Sequence, residues 1–172
     1  MTSSNIPVGF LRSPVNTETP TLVGPDEAEY VDFAFQNAVG VHIQGRNSVV
    51  AIVSPNACIV TQITAISPTS WPDTYNTIAN VDRVMTEVEG LYDTYRGRLS
   101  GATAYLVFGH NRGLMLAPTQ IDLMQRRLYQ MGLPSEDHGY EVQPSTALPA
   151  AATFVITAKG TVSVYLEDEL IN

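Results

Sequence analysis

Few side chains in this sequence can attack an electrophile or move a proton near neutral pH: one cysteine, Cys58, and three histidines, His42, His110 and His138. A cysteine nucleophile needs a base beside it to draw off the thiol proton. Cys58 opens the β-type run 58–67 and His42 sits in the β-type run 39–44, so His42 on a neighbouring strand is the nearest candidate base. The plainer reading is a packed thiol and a hydrogen-bonded strand histidine. His110 lies in Gly109-His110-Asn111-Arg112-Gly113, directly after the apolar run 102–108. That segment has neither the Gly-Lys-Ser/Thr ending of a phosphate loop nor the spacing of a dinucleotide fingerprint. Two readings stay open for it: a connection from strand to helix, or a crevice edge at which His110, Asn111 and Arg112 face a ligand. His110 also suits general acid–base catalysis, with His138 as a second proton carrier and Asp137 or a tyrosine in support.

Other chemistries lack their residues. No HxH, HExxH or CxxC pattern occurs, so no metal is expected, and no cofactor is expected either. The absence of GxSxG argues against a hydrolase serine. The acidic groups 136–138 and 167–169 read as solvated charge.

The elements that must position these groups follow from periodicity. Runs 39–44, 48–54 and 58–67 are rich in Val, Ile and Thr and are separated by turn formers, which predicts a meander of antiparallel strands. Ile78, Val81, Met85, Val88, Tyr92 and Tyr95 recur at three- and four-residue steps, predicting an amphipathic helix over 78–95. A strand at 102–108 follows, then a helix at 119–131 with Pro118 at its start and Gly132 and Pro134 at its end. Segments 154–157 and 161–166 flank Ala158-Lys159-Gly160 and predict a C-terminal hairpin. Residues 1–27, with Pro7, Pro14, Pro20 and Pro25, read as an extended arm whose cluster 21–23 can anchor as a short edge strand. The expected architecture is a single α+β domain over 28–172, with antiparallel or mixed sheet layers and two amphipathic helices.

Composition bounds the partners. With 9 basic against 17 acidic residues and a net charge of −8, phosphate neutralisation is poorly supplied, so nucleic acid is not an expected partner. A single lysine gives no polybasic surface and no run approaches membrane-spanning length, so no membrane is expected. Residues 1–20 lack the apolar run of a signal peptide, and one unpaired cysteine suits a reducing compartment, which together imply a cytoplasmic protein.

The order of elements resembles the CheD-type chemoreceptor glutamine deamidases. Residues 102–109, ATAYLVFG, are similar to that family's strand ending in Val-Phe-Gly-Gly. The helix with Leu128 and its Gly132-Leu133-Pro134 exit, Asp137-His138-Gly139, and the 154–166 hairpin extend the likeness over about 36–167. The resemblance implies the CheD-like scaffold but not its activity. The family's nucleophilic Cys begins the first core strand, where this sequence has Ala38, and its His falls near Ser54 or Pro55. Three functions are thereby left open. One is a non-deamidating relative that binds a small molecule or protein partner in a retained crevice. Another is an isomerase, cyclase or lyase working through His110 and His138. The last is a rebuilt thiol amidohydrolase using Cys58 and His42.

Overall fold

The computed structural model describes residues 20–65, 74–142 and 151–172. Its architecture is α+β, in three layers: two helices, a central sheet, and a second sheet. The central sheet has the order β2 (Ala28–Asp32), β5 (Ala57–Ile63), β4 (Ser48–Val53), β6 (Thr103–Asn111), with β7 (Leu114–Met115) and β8 (Ser135–Glu141) both on β6. All its pairings are antiparallel except β6 with β8, which run parallel from Ala104↔Ser135 to His110↔Glu141. The outer sheet has the order β1 (Thr21–Leu22), β3 (Ala38–Gln44), β9 (Ala151–Thr157), β10 (Ser163–Leu166), β11 (Glu169–Leu170), with β1 parallel to β3.

Burial explains why the runs differ in pattern. Every residue of β4 and β5 is buried, because helices cover one face of the central sheet and the outer sheet covers the other. Strands covered on both faces read as continuous apolar runs. In the outer sheet β3 turns Val39, Val41 and Ile43 inward, and β9 turns Ala152, Phe154 and Ile156 to meet them. The alternation of a sheet buried on one face follows.

Helix α1 (Thr74–Thr94) buries Val81, Val84, Met85 and Val88, and α2 (Pro118–Gln130) buries Ile121, Met124 and Leu128, against Ile52, Ile59 and Leu106 of the central sheet. The end of α2 is set by paired bonds, Leu133 N–H to Leu128 O and Gly132 N–H to Tyr129 O, which define a Schellman motif. Arg127 ties the helices together: its guanidinium meets both oxygens of Glu89, at 2.6 and 2.9 Å, and also reaches Asp82 and Thr86.

One expectation is corrected. Strands 39–44 and 48–54 do not form a meander, since β3 pairs with β1 and β9 while β4 pairs with β5 and β6. The turn at 45–47 instead carries the chain from one sheet to the other. Tyr140 fastens that corner, its hydroxyl lying 2.5 Å from Asn47 O and 3.1 Å from Gly45 O. Tyr140→Phe is expected to cost about 1–2 kcal/mol, because a buried carbonyl loses its donor while ring packing is kept; a denaturant midpoint shift at constant slope is the readout. Segment 136–138, read as solvated charge, lies within β8, where Glu136 and Asp137 are exposed and His138 is half-buried.

The β9–β10 turn exposes Lys159, the one lysine of the sequence. Of the arm at 1–27, residues 1–19 lie outside the described residues; beyond them β1 joins β3 and Val23 enters the core. The end of run 58–67 falls partly outside them too, with β5 ending at Ile63. No helix among the described residues is long and apolar enough to cross a membrane.

Candidate functional site

Alternation along the strands decides which candidate groups meet. Cys58 is fully buried between the two sheets, among Val31, Val53 and Val60. Burial pushes its thiol well above the ordinary range, so the thiolate is scarcely formed at neutral pH. His42 lies between Val41 and Ile43, both of which point into that same core, so its ring stands on the opposite, outer face of β3. The sheet separates the imidazole from the sulfur.

The positions singled out by the deamidase resemblance are inert in a different way. Ala38 opens β3 opposite Thr157 and is 2% exposed. Ser54 is equally buried, and its hydroxyl lies 2.8 Å from Arg98 O while accepting from the N–H groups of Asn56 and Ala57. It fastens the β4–β5 turn. Because β3 and β4 run in opposite directions from the 45–47 corner, Ala38 and Ser54 share one end of the molecule.

His110 and His138 also part company. Leu106 and Phe108 of β6 face the helices, and His110 continues that face. His138 shares a face with Tyr140, which packs toward the outer sheet. The two imidazoles stand on opposite faces and do not form a relay.

His110 does gain partners that the sequence did not announce. Its Nδ1 lies 2.8 Å from Glu141 Oε2 at the carboxyl ends of the parallel pair β6 and β8. The carboxylate sits off the line of the ring N–H, so Nδ1 has a close charge contact but no aligned hydrogen bond. The other carboxylate oxygen accepts the Arg112 backbone N–H at 3.0 Å, which fixes the carboxylate. The ring also lies over Gly139: a Cβ there would come within 2.6 Å of His110 Cδ2 and 3.1 Å of Nε2. Only glycine leaves room for this ring position.

The loop 109–113 is not a strand-to-helix connection. Strand β6 continues through Asn111, which pairs with Leu114, and Arg112 and Gly113 form a two-residue turn with φ of 50° and 78°. Positive φ at both central residues is the hairpin geometry that matches strand twist. The Arg112 side chain is exposed, Asn111 is half-buried, and the hairpin presents Leu114 and Met115 to solvent.

No family model and no curated protein matches this chain.

Among the described residues no group of three or more His, Cys, Asp or Glu side chains is placed to hold a metal ion. What the arrangement offers is an oriented, partly exposed imidazole, a fixed carboxylate, and a guanidinium at a hairpin tip. These suit hydrogen bonding to a polar ligand, or proton exchange with one. Glu141 and Gly139 are the residues that sequence reasoning missed. The one available signal was a glycine flanked by His138 and Tyr140, a position where close approach excludes a side chain.

Proposed function

We propose that this chain is a binding protein on a divergent deamidase-type scaffold, without the Cys/His dyad, that takes a small polar molecule or a partner's polar side chain. The site we assign to it is the end of β6 and β8, formed by His110, Asn111, Arg112 and Glu141. The observation that carries the reading is the seating of His110 over Gly139 with Glu141 at 2.8 Å, a defined placement for a ring that remains partly exposed. Support for the scaffold comes from Ala38 at the start of β3 and Ser54 at the same end, where the family's reactive pair belongs. On this reading the protein works in the cytoplasm, with its single thiol serving as core.

A second reading rests on the same contact. A carboxylate that accepts the Nδ1–H orients an imidazole so that Nε2 can act as a general base, and this reading requires the His110 ring to turn until Nδ1–H lines up with Glu141. His110 alone, without His138, would then move the proton of a metabolite in an isomerase, cyclase or lyase reaction.

The test is a small-fragment screen on the isotopically labelled full chain, read by amide and imidazole shifts. Saturable perturbations are expected to cluster at 109–113 and 139–142 and to vanish in His110→Ala. Perturbations that avoid these residues, or that survive His110→Ala unchanged, would overturn the assignment.

A further inference from the structure

Strand β6 runs past β4 at one end of the molecule. Its pairing with β4 reaches Val49↔Val107, and beyond that β7 takes over, with Met115 opposite His110 and Leu114 opposite Asn111. The resulting finger, 109–116, turns Arg112, Leu114 and Met115 to solvent, with Leu114 74% and Met115 48% exposed. The other exposed large apolar residues among those described stand singly along the chain, which is ordinary for a protein surface; this adjacent pair is the departure. Its cation is also uncommitted. Arg83, Arg96, Arg98, Arg126 and Arg127 are each held by a carboxylate of their own chain. Among the described residues Arg112 has no such partner, and neither has Arg46 at the 45–47 corner.

A second hairpin tip stands at the same end. Strands β10 and β11 are joined through Glu167 and Asp168, and Glu169 and Leu170 follow, all of them exposed. Strand β10 runs parallel to β3, both being antiparallel to β9, so both head toward the 45–47 corner. Glu167 N–H bonds Thr153 O, and Thr153 lies opposite His42 near the end of β3. Tyr140 links the surroundings of the two tips. Its hydroxyl meets Gly45 O and Asn47 O at the corner, its backbone pairs with Gly109 at the base of the finger, and its phenol is raised by burial and then by the charge of Glu167. No ion pair among the described residues uses Glu167, Asp168 or Glu169.

We propose that two copies of this chain associate through this end, the finger of each lying on the 167–170 turn of the other, with Arg112 against its carboxylates and Leu114 and Met115 against Leu170. The charges of finger and turn are opposite, and each tip adds exposed apolar side chains to the contact. A two-fold axis makes the two contacts identical and closes the assembly at a dimer. Arginine and methionine beside apolar side chains are the composition favoured at interface centres. The inference rests on the binding reading above, of which it names the partner: the acidic turn of a second copy.

Sedimentation equilibrium of the full chain is the test. Two hairpin contacts make a small interface, so the apparent mass is expected to climb from 18.7 kDa toward twice that value with a dissociation constant of about 10–100 μM. Arg112→Glu should weaken association at least about tenfold, and so should the double variant Asp168→Arg/Glu169→Arg, because each sets like charges against one another in both contacts. Mixing these two variants restores opposite charges in both contacts, so the mixture should associate at least about tenfold more tightly than either variant alone. A variant that had simply misfolded would not recover on mixing. Leu114→Ser should also weaken the dimer, by about tenfold. The inference is overturned if the wild-type protein stays monomeric up to about 1 mM, in which case the finger meets a different protein. It is also overturned if the mixture associates no better than its components. Fragment perturbations at His110 are read in Asp168→Arg/Glu169→Arg, which leaves 109–113 and 139–142 untouched. Their presence there alongside a monomeric wild type would remove the dimer and leave the binding reading standing.

Discussion

Cys58→Ser is expected to destabilise the protein by about 2–3 kcal/mol, whereas Cys58→Ala should cost clearly less. The reason lies in the surroundings of the sulfur. Cys58 has no exposure and is packed among valines between the sheets, so a serine hydroxyl there would be buried without a partner. Alanine only removes volume. A catalytic thiol would show the opposite profile, with both variants folding normally and losing turnover. Equilibrium denaturation of both variants, with thiol alkylation of the native protein, decides the matter. Alkylation slow enough to track unfolding is the expected result, because burial disfavours the thiolate and blocks access. Rapid alkylation of the folded protein would restore a thiol function.

The second large effect belongs to Gly139→Ala and is functional. The added methyl would meet His110 Cδ2 at 2.6 Å, a distance that non-bonded carbons do not tolerate. The obstacle is a side-chain ring that can rotate, so the fold is expected to survive with a loss below about 1 kcal/mol. The ring, however, must leave Glu141. A ligand bound through His110 should lose at least about tenfold in affinity, close to the effect of His110→Ala. His110 ring shifts measured alongside the melting temperature separate the two effects. An unmoved His110, or a collapse in stability, would contradict this account.

These residues also show where the sequence was legible. Helices α1 and α2 announced themselves because each buries one stripe against the central sheet and keeps a solvated face. The sequence reading placed 119–131 against the observed Pro118–Gln130, and 78–95 against Thr74–Thr94. Strands β4 and β5 were equally clear as continuous apolar runs. Strand β8 was not, for a physical reason: it lies at an edge with Tyr140 as its one buried residue, and Ser-Glu-Asp-His-Gly-Tyr-Glu carries no apolar period. Its backbone is held by pairing with β6, which depends on a chain reversal through α2. The sequence placed His110 at the end of an apolar run, but its Glu141 contact exists through that same parallel pairing. Missing β8 therefore meant missing the site. The error at 45–47 is of another kind, since a turn within a sheet and a turn between sheets can use the same Gly-Arg-Asn chemistry. The buried Tyr140 hydroxyl that distinguishes them is 93 residues away from Asn47.

The placement of Lys159 has a practical bearing. Its turn joins the edge of the molecule where Ala158 N–H bonds Asn37 O, next to the start of β3, whereas His110 stands beyond the far end of β4 and β6. The length of β3, about 20 Å, lies between them. Coupling chemistry directed at lysine side chains would thus tether every molecule at the same spot and in one orientation, leaving the histidine end turned away from the support and free to meet an analyte.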